Sequence, residues 1–307
     1  MSGSSDPAGF GGKPQAYDPA APLTPTGNLR RRQIFSKVTE YTATAAALGA
    51  IAVLVIVVFA VVRHGADAIS WDFITKGAPE GVAPALVGSA IIVAIATLIA
   101  TPLGVLIALY LNQYAGRRAA GFVSLTMDVM NGLPAIIIGI FIFTFMVKKQ
   151  GTLAIGQAGW IGGVALSIIM VPLIARGTQG VLRLIPKSQS EAADALGVAR
   201  WRTVLSVILP SALGGILTVT ILSIARAAGE TAPLLLLTSN GDISRVVLNP
   251  LEALASGPVR IYTLSEEANP EGFTEAWGLS LLFISFILFA SMGARALLAR
   301  SKRKTSS

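Results

Sequence analysis

The sequence predicts an all-α membrane protein with six transmembrane helices and both termini on the cytoplasmic side. Three observations carry this prediction. Of 307 residues, 53% are hydrophobic and only 13% charged, where an ordinary soluble domain carries about 25% charged residues. Six nearly charge-free windows reach the roughly 20 residues that cross a bilayer. Lys and Arg also alternate in density between successive connections. The mean hydropathy of +0.69 fits the same class and excludes a typical soluble enzyme. The net charge of +8 does not indicate nucleic-acid binding, because the charges separate long apolar runs and no basic stretch is interleaved with stacking aromatics. With no cysteine and one histidine, His64, thiolate chemistry is excluded and a His-rich metal site has no ligands.

The first span is Ala43 to Val62, almost uninterrupted Ala, Val, Ile and Leu. The stretch before it is too long for a secretory signal's basic region, so it is expected to remain as an anchor. The second span lies within Gly81 to Gly116. The third runs from about Ala119 to Val147, with Asp128 and the break Asn131-Gly132-Leu133-Pro134 inside it. The fourth runs from about Trp160 to Leu182 across Pro172 and Arg176. The fifth starts near Pro210, carries Arg226 and Glu230, and ends near Thr238; the sixth is about Ala276 to Leu298. Pro102, Pro134, Pro172 and Pro233 fall inside these runs, which membrane helices tolerate when neighbouring helices or cavity water satisfy the freed backbone groups.

Orientation follows from the basic residues. The N-terminal tail, the second and fourth connections and the C-terminus together hold 17 Lys and Arg, against 6 in the alternate connections, so both termini are expected in the cytoplasm. Residues 1–40 are expected to be a disordered cytoplasmic tail, Pro-, Gly- and Ser-rich through about Leu29 and unable to bury a core. The first helix takes residues 41–63, a five-helix core residues 82–299, and a basic cytoplasmic tail residues 300–307. The external segment Ser239 to Glu275 is acidic, with Asp242, Glu252, Glu266, Glu267, Glu271 and Glu275 against Arg245 and Arg260. Its length predicts short helices facing a partner outside the membrane.

Between the fourth and fifth spans lies Ser188-Gln-Ser-Glu191-Ala192-Ala193-Asp194-Ala195-Leu196-Gly197. Ser188 with Glu191 three residues on forms a capping-box pattern, and Gly197 stands where a left-handed residue would end a helix. A short helix, a sharp turn and a second helix into the membrane are expected. Ala192 and Ala193 leave room for another protein's backbone. A capped connector would look the same, but the wider spacing is more specific. Glu191, Ala192, Ala193 and Gly197, then Val207, Leu209 and Pro210, resemble the EAA loop of ABC importer permeases, with Val207 where isoleucine is usual. The resemblance implies a type I ABC importer permease fold, with the loop at 188–210 and a coupling helix, including Asp194, that docks on an ATPase subunit. The chain has no Gly-x-x-x-x-Gly-Lys-Ser/Thr loop, so no cofactor is expected on it. ATP and Mg would belong to the partner ATPase, and the chain is read as a transport subunit and not an enzyme.

Ionisable residues inside spans are functional candidates, because a charge at the membrane centre costs at least about 2.5–3.5 kcal/mol. Arg226 is too deep in the fifth span to reach the cytoplasmic surface, and Glu230, four residues on, could share its helix face. The two could form a pair that fixes packing, or Arg226 could line an anion path with Glu230 holding or gating it, since a guanidinium grips oxyanions with two bonds. Arg176 lies nearer the cytoplasmic end, either snorkelling or providing a second anion contact. Asp128 is read as a helix-packing partner. The break at Asn131 could expose backbone to a cavity or be a packing kink.

Arg226-Ala-Ala-Gly229-Glu230-Thr231-Ala232-Pro233-Leu234 further resembles the permeases of phosphate-specific ABC importers, of the PstA rather than the PstC type. Gly132-Leu-Pro134-Ala-Ile-Ile-Ile-Gly139, Pro172-Leu-Ile-Ala-Arg176, Pro258-Val-Arg-Ile-Tyr262 and Ala276-Trp277-Gly278 add to the resemblance, which covers about Ala83 to Leu298. Gly177-Thr178-Gln179-Gly180 departs from it, because the family more often has an acidic residue after the arginine. The resemblance implies inorganic phosphate as substrate in a bacterial plasma membrane. It also implies a PstC-type sister permease, two ATPase subunits, an extracytoplasmic phosphate-binding protein and surrounding membrane lipid as partners. The span charges alone indicate only an anion, so sulfate or molybdate is the nearest alternative. A proton-coupled secondary transporter using Asp128 and Glu230 conflicts with the EAA spacing, and no inverted repeat supports it. No nucleophile, metal cluster or carboxylate pair points to a membrane enzyme.

Overall fold

The computed structural model describes residues 27–148, 153, 155–267 and 269–305, which are helical with no strand among them. The chain divides into two units between Ile56 and Val57. Gly27–Ile56 belongs to a single helix, α1 (Gly27–Gly65). The expectation of disorder up to residue 40 is therefore corrected for 27–40; residues 1–26 lie outside the described residues. No proline occurs between Pro25 and Pro79 to stop the helix. Its polar start also satisfies itself, since the hydroxyls of Thr39, Thr42 and Thr44 donate to the carbonyls of Phe35, Val38 and Glu40 at 2.8–2.9 Å.

The second unit begins with the last turns of α1. There the His64 ring stacks on Trp277 with centroids 5.1 Å apart, so the only histidine has a packing contact. α2 (Trp71–Thr75) is capped by Ser70, whose hydroxyl accepts the Phe73 amide at 3.1 Å. α3 (Ala83–Leu109) carries Pro84 in its first turn and continues unbroken through Pro102. α4 (Arg117–Gly132) and α5 (Ala135–Ile142) divide what was expected to be one third span, meeting at 94° around Leu133 and Pro134. Pro134 has no amide hydrogen and disfavours helix at Leu133, which takes ψ 132°. α6 (Gly159–Arg183) is continuous through Pro172.

α7 (Lys187–Ala195) and α8 (Arg200–Thr203) follow, and a π-turn over Val204–Ile208 leads into α9 (Leu209–Ala227). The fifth span was expected to reach Thr238, but α9 stops at Ala227. After a break, α10 (Ala232–Leu237) starts with Pro233 in its first turn, where a missing amide hydrogen costs nothing. α11 (Gly257–Glu266) precedes α12 (Pro270–Thr305), which continues as helix through most of the stretch expected to be a separate tail at 300–307. Among the described residues five helices are long and apolar enough to cross a membrane, or six if the bent α4–α5 pair counts as one span.

α6 is the central element. Ile161, Leu166, Met170 and Ile174 are fully buried on it, and α3 lies along it with Ile92, Ala96 and Ala100 equally buried. Within lipid, helices associate through close packing and not water exclusion, so small residues decide how near they come. A Cβ added at Gly104 would lie 2.8 Å from Ile174 Cβ, and one at Gly163 would lie 2.6 Å from Ile95 Cγ2. Gly180, on the same α6, has nothing within 4 Å. Overpacking costs about 1–3 kcal/mol per site. Gly163→Leu and Gly104→Val are therefore expected to lower the thermal unfolding midpoint of the detergent-purified assembly. Gly180→Ala, which gains helix propensity without a clash, should leave it unchanged or raise it.

Candidate functional site

The two breaks in the spanning helices meet through the short helices that follow them. α10 packs on α5, and a Cβ at Gly139 would sit 2.7 Å from Pro233 Cα, so only glycine allows this approach. Asn131 is exposed in the last turn of α4, beside the first break. Arg226 occupies the last turn of α9, and Glu230 lies in the non-helical connection before α10. The arginine thus stands at a helix C-terminus and the carboxylate ahead of a helix N-terminus, each opposite in sign to the partial charge of that helix end.

The ion pair between them, one of the two readings of the sequence, does not form. The helix ends between them, so the four-residue spacing no longer puts them on one face. The amides of Gly229 and Glu230 instead bond back to the carbonyls of Arg226 and Ala227 at 3.1 Å each. Among the described residues neither side chain has an ion pair or hydrogen bond. Arg226 is exposed and Glu230 half-buried.

Arg176 is differently placed. Its Nη2 lies 2.6 Å from Asp128 Oδ1 on α4 and donates to the Ser124 carbonyl at 2.7 Å. Its Nη1 donates to Gln179 Oε1 at 3.0 Å. Asp128 and Ser124 stand one turn apart on α4, so a single helix face offers the arginine both a charge and a carbonyl. The residues after Arg176 contain no carboxylate, as the sequence indicated, and the neutralising one comes from another helix. Asp128 was read as a helix-packing partner, but its pairing with Arg176 was not indicated. Ser124 and Gln179 were not anticipated, and the signal for Ser124 was its i, i+4 relation to Asp128.

The helix at Glu191, Ala192, Ala193 and Asp194 forms as expected, although the capping box does not. α7 begins at Lys187, one residue before Ser188, with Pro186 at the cap position and no side-chain cap bond. Pro186 presets the turn, which displaces Ser188 from capping geometry. The C-terminus follows the sequence closely. Gly197 has φ +70°, its amide bonds the Asp194 carbonyl at 3.0 Å, and the Val198 amide bonds the Ala193 carbonyl at 3.1 Å. These two bonds make a Schellman motif. Ala193 is buried, whereas Glu191, Ala192, Asp194 and Leu196 are exposed, Leu196 at 82%. The small-residue face of α7 and the leucine beside it are therefore available to another protein.

The segment between α10 and α12 is held by its own polar groups. Arg260 grips Glu275 through two bonds of 2.9 Å, both side chains less than one-fifth exposed. The Asp242 carboxyl is held well below the usual carboxylate range, first by the Ser244 hydroxyl, then by the Ser244 amide and Arg245. Because its folded pKa is depressed, its stabilising contribution is present above the ordinary carboxylate pKa and is lost only as pH falls through the lowered value. Glu266, Glu267 and Glu271 remain exposed. Among the described residues no group of His, Asp or Glu could hold a metal ion.

Residues 100–304 match the family described as binding-protein-dependent transport system inner membrane component. The phosphate transport system permease protein PstA of Yersinia pestis is 35% identical over 258 residues, 81% of this chain and 85% of that protein. PstA 1 of Mycobacterium tuberculosis (strain CDC 1551 / Oshkosh) is 35% identical over 285 residues, 89% of this chain and 90% of that one. The fold is that of a chain in a bacterial alginate ABC transporter solved with its periplasmic protein, with TM-score 0.63 and 14% identity over 87% of this chain and 98% of that one. The inward-facing MetNI methionine ABC transporter also aligns, with TM-score 0.51 and 17% identity over 75% and 96%. The chain belongs to the binding-protein-dependent transport system inner membrane component family and, within it, to the PstA phosphate transport permeases.

Proposed function

We propose that this chain forms half of the translocation pathway of an ATP-driven inorganic phosphate importer, in a bacterial plasma membrane with both termini cytoplasmic. The observation that carries the reading is Arg226, an exposed guanidinium at a helix break within an apolar fold, without a partner among the described residues. An arginine at membrane depth needs an anion, a water-filled path or a second subunit, and a PstC-type sister permease would close such a path around it. Arg226, Glu230, Asn131 and Arg176 line the path in this reading. Contacts at a bend can be made and lost as the two arms of each broken helix move, which suits a pathway that must bind weakly enough to release.

Energy arrives from outside the chain. Two ATPase subunits bind ATP and Mg, and one docks on α7 through Glu191, Ala192, Ala193, Asp194 and Gly197. Closure of the ATPases turns the pathway outward, towards a phosphate-binding protein seated on the acidic segment 239–275, and hydrolysis returns it inward. Support comes from the exposed small-residue face of α7 and from the rigid Schellman end that fixes its direction.

ATP-driven uptake of labelled phosphate into proteoliposomes containing the full assembly, with and without this chain and challenged by excess sulfate, tests the reading. Uptake that requires the chain and ignores sulfate supports it, whereas uptake blocked by sulfate moves the assignment to another oxyanion. Losing a charge-assisted hydrogen bond costs about 1.5–3 kcal/mol, or roughly 10- to 100-fold. Arg226→Gln should therefore depress uptake within that range while the purified subunits still assemble, and normal uptake by a fully expressed variant would sink its role. At Gly197, a β-branched residue in the left-handed region costs roughly 1–2 kcal/mol. Gly197→Val is expected to weaken co-purification of the ATPase subunits, while Gly197→Asn, which tolerates that conformation, retains it.

A further inference from the structure

Two arginine–carboxylate pairs in this chain are built differently. Arg260 and Glu275 meet fork to fork with two bonds of 2.9 Å, and both are mostly buried. Arg176 and Asp128 meet through one contact of 2.6 Å, and the carboxylate is 64% exposed against 30% for the arginine. Among the described residues Asp128 Oδ2 has no partner. The guanidinium itself is anchored by neutral acceptors, the Ser124 carbonyl at 2.7 Å and Gln179 Oε1 at 3.0 Å, the latter on a buried side chain. Neutral groups therefore fix the position of Arg176, and an exposed carboxylate fixes its charge balance.

These two roles have different consequences for exchange. Removing Asp128 from the guanidinium leaves the two anchoring bonds intact, so the arginine stays where it is and only loses its counter-charge. Where the exposed carboxylate faces a water-filled path, a single-contact ion pair contributes little net free energy, so there an oxyanion can take its place at small cost. The same carboxylate spares the membrane an uncompensated charge when no anion is present. We propose that Asp128 is the resident counter-anion of Arg176: it occupies the guanidinium between transport cycles, yields it to the passing anion, and returns to drive that anion off. Asp128 thus acts through Arg176, by balancing its charge, and keeps the site from holding its substrate. This rests on the reading of Arg176 as a pathway contact and goes beyond it by assigning how release occurs.

The test uses the assembled transporter in nanodiscs, without ATP and without binding protein, equilibrated with labelled inorganic phosphate and in parallel with labelled sulfate. Asp128→Asn is expected to retain about fivefold more labelled anion than the wild type, with slower ATP-driven uptake. Asp128→Glu should behave as wild type, and Asp128→Asn combined with Arg176→Gln should return retention to the wild-type level. A structural role alone would not create retention that depends on Arg176. If the Asn variant assembles poorly, Asp128→Ser gives the same readout. Retention unchanged from wild type, or raised retention that persists in the Arg176→Gln background, overturns the inference. Failure of the phosphate reading looks different. The wild-type assembly, supplied with ATP and binding protein, would then not import phosphate, while the sulfate arm still reports on Asp128.

Discussion

Hydrocarbon offers no hydrogen bonds, so every charge and every free backbone group at membrane depth must find a partner in protein or in a water-filled path. The arrangement of this chain follows from that constraint. Pro102 and Pro172 are absorbed inside continuous helices packed against neighbours, whereas Pro134 and Pro233 mark the breaks before α5 and α10. The breaks expose helix ends, and the ionisable residues of the fifth span lie at one of them. Arg226 beside a negative helix end and Glu230 beside a positive one are each partly compensated by backbone, which removes the need for a direct pair between them.

The packing beneath these breaks is dense and built from small residues. α6 is buried along most of its length, and α3 approaches it closely because Gly104 and Gly163 carry no side chain. The rigid pair provides a fixed reference for α4, whose Asp128 and Ser124 reach Arg176 on α6. A single ionic contact therefore bridges the bent α4–α5 segment and the central helix. In the proposed cycle, motion of the bend and exchange of an anion at Arg176 are linked through that contact.

In the proposed cycle, coupling at the other site depends on a turn. α7 is a nine-residue helix with one buried alanine, so little of its stability comes from its own packing. Its direction is set by Pro186 at one end and by the left-handed Gly197 with two backbone bonds at the other. A short helix held at its ends and exposed along its face can pass a push from a bound partner to α8 and α9, which continue from it into the bundle.

Several features were legible in the sequence because local chemistry decides them. Charge-free windows of sufficient length mark spans whatever their neighbours, and a left-handed residue after Leu196 favours glycine, so Gly197 announced the end of α7. The EAA spacing and the letters around Arg226 carried the family. Other features were set by tertiary contacts, which leave little local trace. The letters Asn131-Gly132-Leu133-Pro134 marked a break in the third span, but a run of apolar residues reads alike whether it bends slightly or turns through 94°, so the angle of that break and the end of α9 at Ala227 were not visible. The pairing of Arg176 with Asp128 joins residues 48 positions apart on different helices, and no periodicity within either segment encodes it. Sequence alone thus specified which residues must enter the membrane and which charges go with them, because transfer free energy is a property of each side chain. The fold decided which of those charges neutralise one another, because pairing depends on how helices cross.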